Sequence, residues 1–216
     1  MASPYYTKQP VYLKEPSGRY QNILTNGTGS TIPLWDGIAT ESVGKYNTPT
    51  IINFPYTPTL SIVQQGNYQE YTTTHSNFQQ RAFDSHSNME LNMTAPMIVR
   101  SVEEADYVYN ASLFIRSIMK MQWLKDDDPG MPPPIMRFYA HGIYENVPCI
   151  IRDFTWNLDS DLDYVEILSG KNKGMRVPVH NMFVLSLTTT YAPKDVREDF
   201  SIKEYLKGNL KDKGYV

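Results

Sequence analysis

Four histidines, one cysteine and two acidic runs are the residues whose chemistry could make a site. No pair among His75, His86, His141 and His180 has the i,i+4 spacing that would aim two rings from one helix face at a metal ion. His75 and His86 fall in a Ser/Asn/Gln-rich stretch and read as polar surface or hairpin residues. Cys149, in Val147-Pro148-Cys149-Ile150-Ile151, has no partner for an internal disulfide or a thiolate metal site, and reads as a small buried hydrophobe in a strand. Asp159-Ser160-Asp161-Leu162-Asp163 imitates the opening of a calcium loop. An EF-hand, however, needs Gly at loop position six and Glu at twelve, where this chain has Tyr164 and Gly170. A solvated acidic loop is the better reading. Asp126-Asp127-Asp128 would oppose the dipole of a helix ending there, so it too reads as a solvent-facing loop. G-x-S-x-G, G-x-x-x-x-G-K-[ST], H-E-x-x-H and C-x-x-C do not occur, and Gly27-Thr28-Gly29 is a bare G-x-G. The expectation is a chain with no catalytic, metal or cofactor site: not an enzyme.

Composition narrows the class further. The 216 residues carry 20 Lys+Arg against 23 Asp+Glu, a net charge of −3, so there is no cationic excess to hold a phosphate backbone. MASPYYTKQP has no apolar run after a basic start, and no stretch approaches the ~18 apolar residues of a membrane span. A soluble protein of a reducing compartment, without membrane insertion, is expected. Charge is uneven: residues 1–99 hold 5 basic and 6 acidic residues, and residues 100–216 hold 15 and 17. The first 85 residues carry 12 Thr, 8 Tyr, 7 Pro and 13 Asn plus Gln. A polar, uncharged, Tyr-rich segment is not ordinary disorder, which is poor in aromatics and rich in charge. Residues 1–49 are therefore read as an extended N-terminal arm that orders by laying rings on its own domain or on a neighbour, 50–193 as the folded domain, and 194–216 as a C-terminal helix and tail.

The elements that would position these residues are mostly strands. Asn26–Ser30 and Trp35-Asp36-Gly37 are turn signals, and Phe54–Thr59 is too Pro-rich for a central strand. Leu60–Val63 and Tyr68–Thr74 read as two strands of one long hairpin about Gln64–Asn67. Met89, Leu91 and Met93 alternate with Glu90, Asn92 and Thr94, a half-buried strand. Ser101 and Glu104 form an S-x-x-E capping box opening the single long helix, expected to run to about Leu124. Strands follow near 135–142 and 147–156 about a turn at Tyr144-Glu145-Asn146, then at Tyr164–Leu168 and Met175–Val179 across a hairpin loop, then at Met182–Tyr191. Ser201 and Glu204 mark a second capping box and a short C-terminal helix. The fold class is α+β, mostly β.

On a helical wheel Ala105, Val108, Tyr109, Ser112, Ile115, Met119 and Trp123 share one face, and Tyr107, Ala111, Phe114, Ile118 and Met121 the adjoining one. The weakly polar arc covers roughly two thirds of the circumference, against the ~100° that a helix on one sheet needs. Either the helix is sunk in its own core, or its second face packs on a neighbouring subunit. With a single long helix in the chain, the second reading is preferred, making Tyr107, Ala111, Phe114, Ile118 and Met121 the candidate subunit interface.

Several short motifs recur in a familiar order. They are Phe54-Pro55-Tyr56-Thr57-Pro58-Thr59, Glu104-Ala105-Asp106-Tyr107, Pro132-Pro133-Pro134 with a strand ending in His141-Gly142, and Val147-Pro148. Val177-Pro178 leading to Met182–Leu187 and Tyr191-Ala192-Pro193 completes the set. Together they resemble the baseplate tail-tube junction proteins of contractile-tailed bacteriophages, the tail-tube initiator rings, over about residues 50–207. The resemblance implies a tail-tube fold, two antiparallel sheets in a sandwich or barrel with a flanking helix. It implies a homo-hexameric ring that touches adjacent tail-tube and baseplate hub or wedge proteins. Genomic DNA would be passing cargo, in a virion tail assembled in the host cytoplasm. A tail terminator or an ordinary tail-tube ring is the alternative within that class. A carbohydrate-binding host-recognition module, its Tyr-rich half stacking on sugars, is the alternative from another.

Overall fold

The computed structural model describes residues 11–15, 50–72, 74–121, 130, 132–168, 170 and 172–216. In chain order the elements are β1 (Val11–Glu15), β2 (Thr50–Phe54), β3 (Thr59–Val63), β4 (Gly66–Tyr71), β5 (Gln80–His86), β6 (Glu90–Ile98), α1 (Val102–Ile118), β7 (Met136–Ala140), β8 (Tyr144–Trp156), β9 (Tyr164–Glu166), β10 (Arg176–Pro178), β11 (His180–Thr189), α2 (Pro193–Asp199) and α3 (Ile202–Leu206). The fold is mostly β and antiparallel.

Alternation builds the centre of the main sheet. β6 turns Leu91, Met93, Ala95 and Met97 inward, and β11 turns Phe183, Leu185 and Leu187 inward beside them, in register from His180↔Ile98 to Thr188↔Glu90. The inward set buries each side chain against its cross-strand neighbours, the unit of sheet stabilisation. β8 flanks β11 on the other side, with a register shift at Ser186/Leu187. Asn181 is, with Thr189, a polar member of the inward set. Its Nδ2 donates to the carbonyls of Met97 (3.3 Å) and Pro178 (2.6 Å), and its Oδ1 accepts from Trp156 Nε1 (2.9 Å), so its burial leaves no amide atom unpaired.

The full order is β2-β1-β7-β8-β11-β6-β3. The tail-tube resemblance implied two facing sheets. The described residues instead form one seven-stranded sheet, which curls until β2 comes against β6, and two two-stranded sheets, β9–β10 and β4–β5. β1 lies between β2 and β7, pairing Leu13 with Ile52 on one side and Phe138 on the other, all three buried. The sequence reading placed residues 1–49 outside the folded domain; five of them are an internal strand of it. Five residues are too few for an alternation to stand out in a polar segment. The turns read at Asn26–Ser30 and Trp35–Gly37 lie outside the described residues.

α1 begins with the N-cap half of its capping box, Glu104 N donating to Ser101 Oγ (3.2 Å), while the Glu104 carboxylate reaches one residue further back and accepts from Arg100 N (2.6 Å). It ends at Ile118, where Lys120 N donates to the Ser117 carbonyl (3.0 Å) and tightens the last turn; the helix does not reach Leu124 within the described residues.

Three more boundaries differ from the sequence reading. The β7–β8 turn sits at 141–143, where His141 (φ 53°) and Gly142 (φ 64°) are left-handed, rather than at Tyr144–Asn146. α3 starts after Ser201 without the side-chain cap, and the Glu204 carboxylate accepts from Lys207 Nζ (2.7 Å) and Asn209 Nδ2 (2.6 Å). Most consequential, β3 and β4 do not pair with each other. β3 pairs with β6 and β4 with β5. Gln65 and Ser87 hold the two legs together at the joint, with Gln65 N donating to Ser87 Oγ (3.0 Å) and Ser87 N to the Gln65 carbonyl (2.8 Å). β3–β4 is thus the outgoing leg and β5–β6 the returning leg of one long hairpin, and β5 was not foreseen as a strand.

Candidate functional site

The five helix residues expected at a subunit interface are not together on a surface. Tyr107, Ala111, Phe114 and Ile118 are at most 3% exposed, inside the chain's own core; Met121 alone is open, at 46%. This corrects the interface assignment, and the cover is visible. The face of α1 away from the main sheet is closed by the β9–β10 hairpin, which contributes Ile167 and Val177 to the same core. Asn172 in its loop donates Nδ2 to Asp106 Oδ1 (2.7 Å) and Asn110 Oδ1 (2.9 Å), and Asn110 Nδ2 donates to Asp106 Oδ2 (3.1 Å). The polar strip of the helix is a docking seam for that loop. The Tyr107 hydroxyl, raised by burial above the ordinary tyrosine value, donates to the Asn53 carbonyl (3.0 Å) and ties the helix to β2. A wide apolar arc measures how much of a helix is covered, without saying by which chain.

The groups with possible chemistry stay apart. Cys149 is fully buried in β8 and its thiol is pushed up to about 12 by desolvation, which makes it inert. His75 lies in the loop between β4 and β5 with φ 64°, His86 ends β5, His141 is in the β7–β8 turn and His180 starts β11. In the acidic loop the Asp159 carbonyl accepts from Tyr164 Oη (2.7 Å) and the Asp163 carbonyl from Val179 N (2.8 Å), bonds that close the loop on itself and on the sheet. Among the described residues no three His, Cys, Asp or Glu side chains gather as metal ligands, and no helix is long and apolar enough to cross a membrane. Asp126–Asp128 lie outside the described residues.

One cleft, of about 550 Å³, opens between β1, the β7–β8 turn and the C-terminal segment. Tyr12 and Tyr139, a cross-strand pair, stack in it at 4.6 Å and 13°, and Tyr144, Glu145, Asn146 and Asp212 complete the wall. Tyr139 Oη donates to Asn146 Oδ1 (3.2 Å), and burial raises the Tyr139 and Tyr144 hydroxyls above the ordinary value. Phenols, an amide and two carboxylates can bind hydroxyl groups; the lining holds no histidine, serine or cysteine to serve as base or nucleophile.

The surfaces best suited to action are the sheet margins and the β4–β5 ribbon. Among the described residues β2 and β3 each pair on one side only, so each presents a free edge. Thr50-Ile51-Ile52-Asn53-Phe54 and Thr59-Leu60-Ser61-Ile62-Val63 carry no charge. Free edges of monomeric proteins are ordinarily blunted by Lys, Pro or inward charge. Every residue of β4 and β5 is exposed on a ribbon that continues past the end of the main sheet. Sequence reasoning missed both surfaces. The one available signal was Glu70 and Arg81, whose opposite charges meet across the ribbon at 2.6 Å. No family model matches the chain, and no curated protein does.

Proposed function

We propose that the chain is a structural, non-enzymatic subunit of a contractile phage tail. Six copies form a ring at the junction of baseplate and tail tube, which templates the tube and lines the channel through which DNA leaves. The observation that carries the reading is the pair of uncharged sheet edges, β2 and β3, at opposite margins of one antiparallel sheet. Two different edges that accept each other make a head-to-tail contact, which closes into a ring when the rotation per copy divides a full turn. Closure then removes the edges. The motifs that resemble the tail-tube initiators support the same reading by their position. Phe54-Pro55 ends β2, Pro132-Pro133-Pro134 leads into β7, Val147-Pro148 lies in β8, and Val177-Pro178 leads into β11. The weak negative charge suits a lumen through which DNA slides without sticking. Its neighbours would be tail-tube and baseplate hub or wedge proteins, and its place the virion tail, assembled in the host cytoplasm.

Mass photometry over a range of concentrations, alone and with the adjacent ring, is the test, with electron microscopy of the product. Hexameric rings are expected; a strict monomer under all of these conditions refutes the proposal. The tyrosine-lined cleft favours a second reading, a carbohydrate-binding module. Sugar C–H faces stack on tyrosine while Glu145, Asn146 and Asp212 take hydroxyls. Calorimetry against host-surface glycans separates the two: rings without glycan affinity reject it.

A further inference from the structure

Residues 193–216 leave the end of β11 and return to the tyrosine cleft. α2 and α3 bury no residue. Leu210 and Tyr215 are buried near the end of the segment, but neither belongs to the core that the sheet shares with α1; of the segment's apolar side chains, Val216 alone packs against that core. Satellite clusters of this kind lie under long surface segments and open at lower cost than the core they border. The segment also holds itself together. Glu204 takes Lys207 Nζ and Asn209 Nδ2, Asp199 pairs with Lys213, and the Phe200 ring contacts those of Tyr205 (5.9 Å) and Tyr215 (5.5 Å).

Its ties to the rest of the chain gather at the far end. The Asp212 carbonyl accepts from Asn146 Nδ2 (3.4 Å), Lys211 Nζ pairs with Glu145 (3.4 Å), and the Gly214 carbonyl accepts from Tyr191 Oη (2.9 Å). Tyr215 stacks on Tyr191 at 5.0 Å and 11°. The first two ties are long and exposed, and an exposed ion pair contributes little. Asn146 is the latch. Its φ of 54° is left-handed, a conformation that asparagine adopts more readily than most residues. There its Oδ1 accepts from Tyr139 Oη (3.2 Å) while Nδ2 reaches the Asp212 carbonyl, so one amide joins the cleft to the tip of the segment. Asp212 forms part of the cleft wall, and the closed segment engages two of the cleft's polar groups, the Asn146 amide and the Glu145 carboxylate.

We infer that residues 193–216 are a strap that gates the tyrosine cleft. The strap opens as one unit about its root after β11 and leaves the sheet folded. In closing it takes up the Asn146 amide and the Glu145 carboxylate that a ligand in the cleft would otherwise use. The device is built within one chain and needs no ring.

Native-state hydrogen exchange on the full-length chain tests it without a mutation. The amides of Gly208, Asn209, Gly214 and Tyr215 all donate within the strap. They are expected to exchange through one shared opening, with a shallower dependence on urea than the amides of β6 and β11. Tyr215→Ala, which removes the stack on Tyr191, should speed the other strap amides roughly tenfold or more and leave β6 and β11 within about twofold. Hydroxyl-radical footprinting of the same variant should show greater labelling of Tyr139 and Tyr144. Asn146→Asp keeps an acceptor for Tyr139 Oη and loses the donor to Asp212; it should speed the strap amides by roughly two- to tenfold. Strap amides that exchange only together with the sheet, at the same urea slope, overturn the separate unit. Unrelated rates, shifted one by one, overturn it in favour of fraying. Faster strap exchange with unchanged labelling of Tyr139 and Tyr144 overturns the gate.

Discussion

Phe114 separates a core helix from an interface helix. Its ring is fully buried on α1, at the position that the wheel assigned to a neighbouring subunit. Phe114→Ala removes a buried ring and leaves a cavity that the sheet and the β9–β10 hairpin close only in part. Such truncations cost about 3–5 kcal/mol. Against a total stability of about 5–15 kcal/mol, that is roughly a fifth or more of the whole. For a domain of this size it lowers the melting temperature by roughly 6–20 °C. Urea denaturation followed by far-UV circular dichroism reads the loss as a lower midpoint at unchanged slope. Met121→Ala, on the same wheel face but open to solvent, is the control and should stay within about 0.5 kcal/mol. A Phe114→Ala variant within 1 kcal/mol of the parent, with its self-association abolished, would refute the core assignment and restore the interface.

Two further outcomes follow from the packing. Truncation to residues 50–216 removes β1, the only described strand pairing with β2, and should abolish the cooperative thermal transition; an unchanged melt would show β1 to be dispensable. Gly214→Ala places a Cβ against the Asn146 carbonyl and 2.9 Å from Pro148 Cδ at φ +80°, a left-handed conformation that alone costs a non-glycine residue about 1–2 kcal/mol. The substitution should release the C-terminal segment, whose Tyr215 stacks on Tyr191 at 5.0 Å, to limited proteolysis; parent-like protection would refute the fit.

Period-2 alternation made β6 and β11 legible, because each has one buried and one open face and is nine or ten residues long. The capping box made the start of α1 legible because Ser101 and Glu104 act locally, on backbone groups within one turn. What failed was non-local. Strands at 60–63 and 68–71 were visible, but proximity in sequence suggested that they pair with each other. The pairing is set instead by Leu60 and Ile62 facing Met93 and Leu91 across the sheet. β1 was invisible because its strength comes from having a partner on each side, which no five-residue pattern encodes. The helix arc was measured correctly and attributed to the wrong cover, since a pair of three-residue strands with one asparagine loop is easily overlooked as a lid. The tyrosine cleft assembles residues from positions 12, 139–146 and 212, a juxtaposition that exists only after β1 enters the sheet.

Correcting the helix strengthens the case for assembly by moving it elsewhere. A chain whose only apolar surplus lay on α1 would need no partner, for its own hairpin covers that surplus. Among the described residues, the surfaces left over include two uncharged edges and the aromatic β4–β5 ribbon. Each is a liability for an isolated chain: free edges invite uncontrolled pairing, and exposed rings invite adhesion. The two edges differ, and a head-to-tail arrangement is one way of pairing one with the other. On the proposed ring, the absence of charge at β2 and β3 is what would let the edge of one copy accept the edge of the next, so a lysine introduced on either edge, as in Ile51→Lys or Ser61→Lys, should block closure while leaving the monomer folded, which mass photometry and circular dichroism read together.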